Sequence, residues 1–234
     1  MARGCSLEGR RYRTESLKKS KNRKTSSARW LRRQMNDPFV REARARGYRS
    51  RAAFKIVEIN ESYRIFREGQ RVMDLGSAPG GWSQLVVASV GRGNVFAVDL
   101  VAMEPIDGVE FTEGDFLDAN FRAALAARLG TEKFDVIMSD MAPNGSGDPK
   151  TDHLRIVGLV EQAIDFALEF LKVGGTLVAK IFQGGEERRL VAELRKYFER
   201  VSYCKPKSSR KDSAEMYLVA QRLVPSCPSA SLSL

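Results

Sequence analysis

Residues 71–84 read RVMDLGSAPGGWSQ, and the fold is decided in this stretch. Arg71 to Leu75 is a short β-rich run ending in Asp74-Leu75-Gly76. It passes into Ser77-Ala78-Pro79-Gly80-Gly81-Trp82 ahead of a helical pattern. A strand, a glycine-rich turn and a helix in that order let a ligand approach the backbone at the carboxyl end of a strand, where open α/β sheets place their sites. The turn departs from GxGxxG, because Pro79 stands where a pyrophosphate-binding loop offers an N–H donor. That points away from NAD and towards a nucleoside ligand without a pyrophosphate.

Outward from this stretch, β-rich runs alternate with helical patterns. The strand candidates are Arg71–Leu75, Asn94–Asp99, Val109–Thr112, Phe134–Ser139, Thr176–Ile181, Arg200–Cys204 and Met216–Arg222. Helices are expected near Trp82–Val90, Ala119–Leu129, His153–Lys172 and Glu186–Phe198. This alternation is the signature of a parallel sheet with crossover helices. The last two strands are joined by a loop too short for a helical crossover, so the final strand is expected to be antiparallel. Successive strands end at Gly76, Asp99, Asp115, Asp140 and Lys180. Any one of these could be a tight turn or a helix cap; five in succession make a site. Upstream, Ser50 is placed to cap a helix carrying Ala53, Phe54, Ile56, Val57 and Ile59, which would hold Lys55 near the core.

With 234 residues and 43% hydrophobic content, the chain can bury the core of one α/β domain. We expect that domain over residues 29–223, between a basic arm at 1–28 and a disordered tail at 224–234. Cys5, Cys204 and Cys227 are too scattered for a disulfide framework or a metal knuckle, and His153, the only histidine, reads as a solvated first-turn residue; no metal is expected. Such cysteine usage fits the cytoplasm. A mitochondrial leader is disfavoured by Glu8, Glu15 and the many lysines. The apolar run from Ile156 to Leu171 is interrupted by Glu161, Asp165 and Glu169, which share one helical face, so it reads as a buried-face helix and not a membrane span. The net charge of +10 is uneven: residues 1–55 carry 18 Lys and Arg against 4 Asp and Glu, and the remainder carries 21 against 25. A polybasic quarter without an amphipathic stripe suits a polyanion, and RNA better than a membrane.

Five ordered segments carry a resemblance. SRAAFK (Ser50–Lys55), DLGSAPGGWSQ (Asp74–Gln84), SDMAPN (Ser139–Asn144), VAKIFQ (Val178–Gln183) and KPKSSRKDSAEMY (Lys205–Tyr217) resemble the FtsJ-type ribosomal RNA 2′-O-ribose methyltransferases, over about Ser26 to Arg222. The resemblance implies a Rossmann-like, class I S-adenosylmethionine-dependent methyltransferase fold. Its sheet would have seven mostly parallel strands, the last antiparallel, with helices on both faces. It also implies a catalytic tetrad at Lys55, Asp140, Lys180 and Glu215, and S-adenosyl-L-methionine contacts at Gly80, Trp82, Asp99, Asp115 and Asp140. The substrate it implies is a ribose, most simply a uridine, in 23S ribosomal RNA of the large subunit, modified by a monomeric enzyme. Ala53 stands where an aromatic is common, and the basic arm is longer than usual.

The residues themselves agree with that chemistry. Methyl transfer from a sulfonium to a hydroxyl is an in-line displacement that needs a cation or base beside a weakly acidic oxygen. Lys180 follows Leu177, Val178 and Ala179 and precedes Ile181 and Phe182, a context that buries its stem, and adjacent strands would bring it near Asp140. Whether Lys180 removes the proton or stabilises the developing oxyanion is open at this level. Surface charge is the ordinary fate of lysines and glutamates, and core the ordinary place of Trp82 and Met141. Rival readings are an NAD-dependent oxidoreductase, a non-catalytic RNA-binding relative, and a 2′-O-methyltransferase acting on tRNA or a messenger cap.

Overall fold

Alternating side chains along the strands build two apolar layers. Met73 and Leu75, Phe96 and Val98, Ile137, Leu177 and Ala179, and Leu218 and Ala220 point to one face of the sheet. Val72, Val95, Val136 and Met138, Val178, and Tyr217 and Val219 point to the other. Strands buried on both faces need helices on both, which is the condition for a parallel sheet.

The computed structural model describes residues 31–142, 149–184, 187–210 and 212–225. The basic arm at 1–28, the tail beyond 225, Asn144 of the SDMAPN segment and the His153 side chain lie outside the described residues. In chain order the elements are α1 (Pro38–Ala45), α2 (Ala53–Tyr63), β1 (Val72–Leu75), α3 (Ser83–Val90), β2 (Val95–Asp99), β3 (Val109–Glu113) and α4 (Ala119–Leu129). There follow β4 (Phe134–Ser139), α5 (Pro149–Phe170), β5 (Leu171–Phe182), α6 (Glu187–Leu194), β6 (Phe198–Cys204) and β7 (Glu215–Leu223). The seven strands run in the order β3-β2-β1-β4-β5-β7-β6. β1 to β5 are mutually parallel where they pair, and β7 is antiparallel to both β5 and β6, as the short connection required.

The sequence order reverses between β1 and β4, so the carboxyl ends of these strands open the crevice in which such sheets hold ligands. Residues of α2 and α3 pack on the Val72 face, and residues of α4, α5 and α6 on the Met73 face. The polar stripe of α5 is structural as well as solvated: Asp165 and Glu169 both pair with Arg122 of α4, at 2.7 and 3.4 Å, and Glu161 pairs with Arg189 of α6.

Four local expectations are corrected. Ser50 does not cap α2; Ala52 occupies the cap position in helical conformation without a side-chain bond. The first N–H groups are met by a tighter turn, with Ala53 N donating to Ser50 O and Phe54 N to Arg51 O. The long helix starts at Pro149, so His153 lies a turn inside it, and it stops at Phe170. Leu171 and Lys172 belong to β5, where Leu171 pairs with Phe134. Likewise α6 ends at Leu194, because Phe198 is taken by β6, pairing with Leu223.

Candidate active site

Strand parity and one helix bring the four charged residues together. Lys180 shares the inward face of Val178, while Tyr217 and Glu215 share that of Val219. In the antiparallel pair Lys180 lies opposite Tyr217, and Phe182 opposite Glu215. Helix α2 packs Ile56 and Ile59 on the same face, which carries Lys55 to the strand ends. Asp140 follows the last residue of β4, next to β5.

The resulting contacts are close. Lys180 Nζ is 2.8 Å from Asp140 Oδ1 and donates to the Asp140 carbonyl at 2.7 Å. Lys55 Nζ is 2.7 Å from Glu215 Oε2 and 3.7 Å from Asp140 Oδ1, and Lys180 stands 3.8 Å from Glu215. The Tyr217 hydroxyl receives a bond from Lys55 at 2.9 Å and donates to Asp140 Oδ1 at 2.6 Å. Both lysines are more than nine-tenths buried. Two ammonium and two carboxylate groups withdrawn together from water cost several kcal/mol each before their mutual attraction is counted, so this cluster is not an economical way to stabilise a fold. Such groupings mark chemistry.

The electrostatics follow from the contacts. Burial alone would push the Asp140 carboxyl up, but Lys180 and Lys55, with hydrogen bonds from Lys180 and Tyr217, hold it below the usual carboxylate range. Burial, and then the Asp140 and Glu215 charges, push the Tyr217 hydroxyl well above its ordinary value, so it serves as a fixed donor. Asp74, wholly buried beneath the glycine turn, is raised by burial to about 7 against the opposing bonds from Ser83, with a further push from Asp140 and Asp99.

Beside the cluster, a cavity of about 850 Å³ runs along the carboxyl ends of β1, β2, β3 and β4. Gly76, Asp99, Asp115 and Asp140 line it, together with exposed Leu100 and Val101. Gly76 has φ +71°, and a Cβ there would collide with Met141 Cγ, so only glycine fits. Asp99 accepts from Ala78 N and Val101 N at 2.8 and 2.9 Å, which ties the rim to the turn and orients its remaining lone pairs. Asp115 is fixed in the same way by Leu117 N at 2.9 Å. Three carboxylates among the lining residues suit a ligand carrying cationic groups and ribose hydroxyls, and Arg155 lies on the same lining. S-adenosylmethionine fits this donor and acceptor set.

Of the residues singled out in the sequence, Asp99, Asp115 and Asp140 thus line one cavity, and Lys55, Lys180 and Glu215 join Asp140 at its edge. Gly80 and Trp82 sit on the turn beside it. The indole of Trp82 is buried in the core, donating to Ala52 O at 2.9 Å, with its ring 5.7 Å from that of Tyr217. Two partners of the cluster are not found by reading the sequence: Tyr217 itself, and Ser209, which donates to Glu215 Oε1 at 2.8 Å. A signal for Tyr217 exists, since it lies two residues beyond Glu215 on an alternating strand and so on the same face.

Comparison with known proteins agrees with this geometry. The family described as FtsJ-like methyltransferase matches residues 48–223. A protein of Xanthobacter autotrophicus named ribosomal RNA large subunit methyltransferase E is 50% identical over 208 residues, covering 87% of this chain and 82% of its own. A protein of the same name from Bradyrhizobium diazoefficiens is 51% identical over 208 residues, covering 87% and 91%. A solved structure described as a ribosomal RNA methyltransferase of Plasmodium falciparum superposes with a TM-score of 0.68 at 29% identity, covering 76% of this chain and 99% of that one. The whole sheet from β1 to β7, the carboxylate-lined cavity and the four-charge cluster fall inside the matched stretch, and the chain belongs to the FtsJ-like methyltransferase family.

Proposed function

We propose that this methyltransferase transfers a methyl group from S-adenosylmethionine to a ribose 2′-hydroxyl of large-subunit ribosomal RNA, a uridine of 23S RNA, acting in the cytoplasm. The observation that carries the reading is the buried cluster of Lys55, Asp140, Lys180, Glu215 and Tyr217 at the edge of the carboxylate-lined cavity. Asp99 would accept from cofactor ribose hydroxyls, while Asp115 and the exposed apolar pair Leu100 and Val101 would flank its base. When bound, the cofactor supplies a methyl group on a sulfonium with a neutral thioether leaving group. The ribose oxygen would take that methyl as the carbon–sulfur bond breaks, and the hydroxyl proton would leave to solvent.

Lys180 donates to the carboxylate and the carbonyl of Asp140, and its remaining N–H would hold the ribose oxygen in line and stabilise the negative charge that develops on it. Asp140 and Glu215 fix the two lysines, and Tyr217 bridges Lys55 to Asp140. No helix among the described residues is long and apolar enough to cross a membrane. The names of the relatives support the ribosomal substrate.

The decisive experiment is incubation with tritiated S-adenosylmethionine and ribosomal subunits or total RNA, followed by mapping of the label. We expect a single ribose-methylated nucleotide in large-subunit RNA. Lys180→Ala should abolish incorporation yet still bind S-adenosylhomocysteine and RNA, and Lys180→Arg should retain part of the activity by keeping the charge. Label confined to tRNA would sink the substrate assignment, and full turnover by Lys180→Ala would sink the site.

A further inference from the structure

Arg49 carries one of the 18 positive charges of the first 55 residues, and composition alone would assign it to RNA phosphates. Its guanidinium is engaged elsewhere. One arm, Nη1, donates to the carbonyls of Pro79 at 3.2 Å and Glu104 at 2.5 Å, and the other, Nη2, donates to that of Pro105 at 2.6 Å. Pro79 belongs to the glycine turn after β1, and Glu104 and Pro105 to the irregular loop after β2. Ala78 of the first segment and Val101 of the second line the cofactor cavity, whereas Pro79, Glu104 and Pro105 line the hollow beside it. The loop after β2 is otherwise held by the bond from Val101 N to Asp99 at 2.9 Å and by Met103 against Ser77, while Leu100 and Val101 are 70% and 64% exposed and Pro105 has no N–H with which to pair.

The backbone around Arg49 is fastened to the same turn. Arg49 N donates to Gln84 Oε1 at 3.0 Å, and Gln84 Nε2 donates to Gly47 O at 2.9 Å. A Cβ on Gly81 would collide with Ser50 Oγ, so the strap at 47–52 rests directly on the turn. Beyond the turn lies a second hollow, between Arg49, Pro79, Met103 and Pro105, which shares Ala78, Asp99, Val101 and Ala142 with the cofactor cavity.

We infer that Arg49 is a positioning residue for the cofactor and not a phosphate contact: its planar fork clasps the two rim loops and so holds Asp99 and Val101 in binding geometry. The inference rests on the cofactor assignment proposed above. A guanidinium suits the task because it offers several donors in fixed directions and keeps its charge while bonding only carbonyls.

The test uses the full chain. Wild type, Arg49→Ala and Arg49→Lys are titrated with S-adenosylhomocysteine by calorimetry, and their RNA affinity is measured against salt concentration. Folding is checked by melting temperature. Arg49→Ala should weaken S-adenosylhomocysteine binding by about tenfold, since carbonyls lose a charged donor. The KM for S-adenosylmethionine should rise in parallel, with kcat at saturation within about twofold of wild type. Arg49→Lys, whose single nitrogen cannot span both loops, should restore only part of the affinity. The salt slope of RNA binding should not move. Unchanged S-adenosylhomocysteine affinity in Arg49→Ala would overturn the inference, as would full rescue by lysine or a salt slope lowered by about one, the mark of a missing phosphate contact. If wild type itself bound no S-adenosylhomocysteine, the cofactor assignment would fail first, an outcome these arms keep distinct.

Discussion

Tyr217 shows how much a single buried hydroxyl organises here. It receives from Lys55 and donates to Asp140, and it lies wholly within the core. Tyr217→Phe keeps the ring and its packing on Trp82 but leaves Asp140 Oδ1 with one donor fewer. Removing one partner from a buried charged bond costs on the order of 1–3 kcal/mol. We expect a melting temperature lowered by several degrees and a kcat reduced about tenfold, with S-adenosylhomocysteine affinity unchanged; calorimetry and single-turnover rates would check both. Asp74 provides a pH handle that the mechanism does not use. Its folded pKa, about 7, lies above the ordinary 3.8, so the native state favours the protonated form. That contribution to stability is complete below the unfolded value and is lost as pH rises through about 7. Asp74→Asn, a neutral near-isostere that can still bond Ser83, should flatten the fall in melting temperature between pH 4 and 8. At pH 8 it should be more stable than wild type by a few kcal/mol at most, since each tenfold change in proton affinity is worth roughly 1.4 kcal/mol. Equal slopes in thermal scans of the two proteins would contradict the assignment.

At the scale of elements, α2 and the loop between β6 and β7 act as one unit. Glu58 of α2 accepts from the backbone N–H groups of both Lys207 and Ser208, and Arg51 donates to Ser208 O while pairing with Asp37. The loop so pinned carries Ser209, the partner of Glu215. Glu58→Ala should therefore loosen the loop, lowering kcat/KM for RNA about tenfold while the KM for S-adenosylmethionine stays within about twofold; steady-state kinetics with each substrate varied in turn would show it. Such cross-element ties explain which parts of the fold and site were legible in the sequence. The strands were, because Val72 to Leu75 and Val95 to Asp99 are short, largely apolar runs, the mark of strands buried on both faces, and end at a glycine or an acid. Antiparallel β7 was, because its connection is short. The beginning of α2 was not: Ser50 is a good capping residue by type, but the close approach of Gly81 and the carbonyls of Ser50 and Arg51 settled the turn differently. The end of α5 was missed because Leu171 continues the apolar pattern of the helix while pairing with Phe134 as a strand. The four charges were found through motif likeness. Their bonds to Tyr217 and Ser209, like the carbonyl clasp of Arg49, depend on long-range juxtaposition that no local window contains.

For the whole molecule, charge separates into two territories. Residues 1–55 hold 18 basic against 4 acidic side chains, whereas residues 56–234 hold 21 against 25. Residues 56–234 taken alone are slightly acidic and line the cavity with carboxylates, while residues 29–55, which carry α1 and the start of α2, add 9 basic against 2 acidic side chains. Attraction to a polyanion is therefore concentrated in the N-terminal quarter. Within that quarter the described arginines are partly committed: Arg49 to carbonyls, Arg51 to Asp37 and Ser208 O, and Arg46 to Glu42 at 2.8 Å. The first 25 residues, which lie outside the described ones, carry 9 lysines and arginines against 2 glutamates and lack an apolar pattern, a composition suited to a polyanion. Deleting residues 1–25 should therefore weaken RNA binding and flatten its dependence on salt, because each phosphate contact removed lowers the slope of log affinity against log salt by about 0.7 to 0.9. If the arm neutralises several phosphates, its removal should lower that slope by about two or more, at roughly 0.9 for each phosphate on duplex regions. S-adenosylhomocysteine affinity should be unaffected, since the Gly47–Ala52 strap and the rim it holds remain in place. At saturating RNA the truncated enzyme should turn over near the wild-type rate, because no member of the Lys55, Asp140, Lys180 and Glu215 cluster is removed. Filter binding at several salt concentrations, with kcat measured in parallel, separates the two effects. A truncated chain with an unaltered slope would place the phosphate contacts on the folded body, and a loss of kcat at saturation would give the arm a part in forming the site.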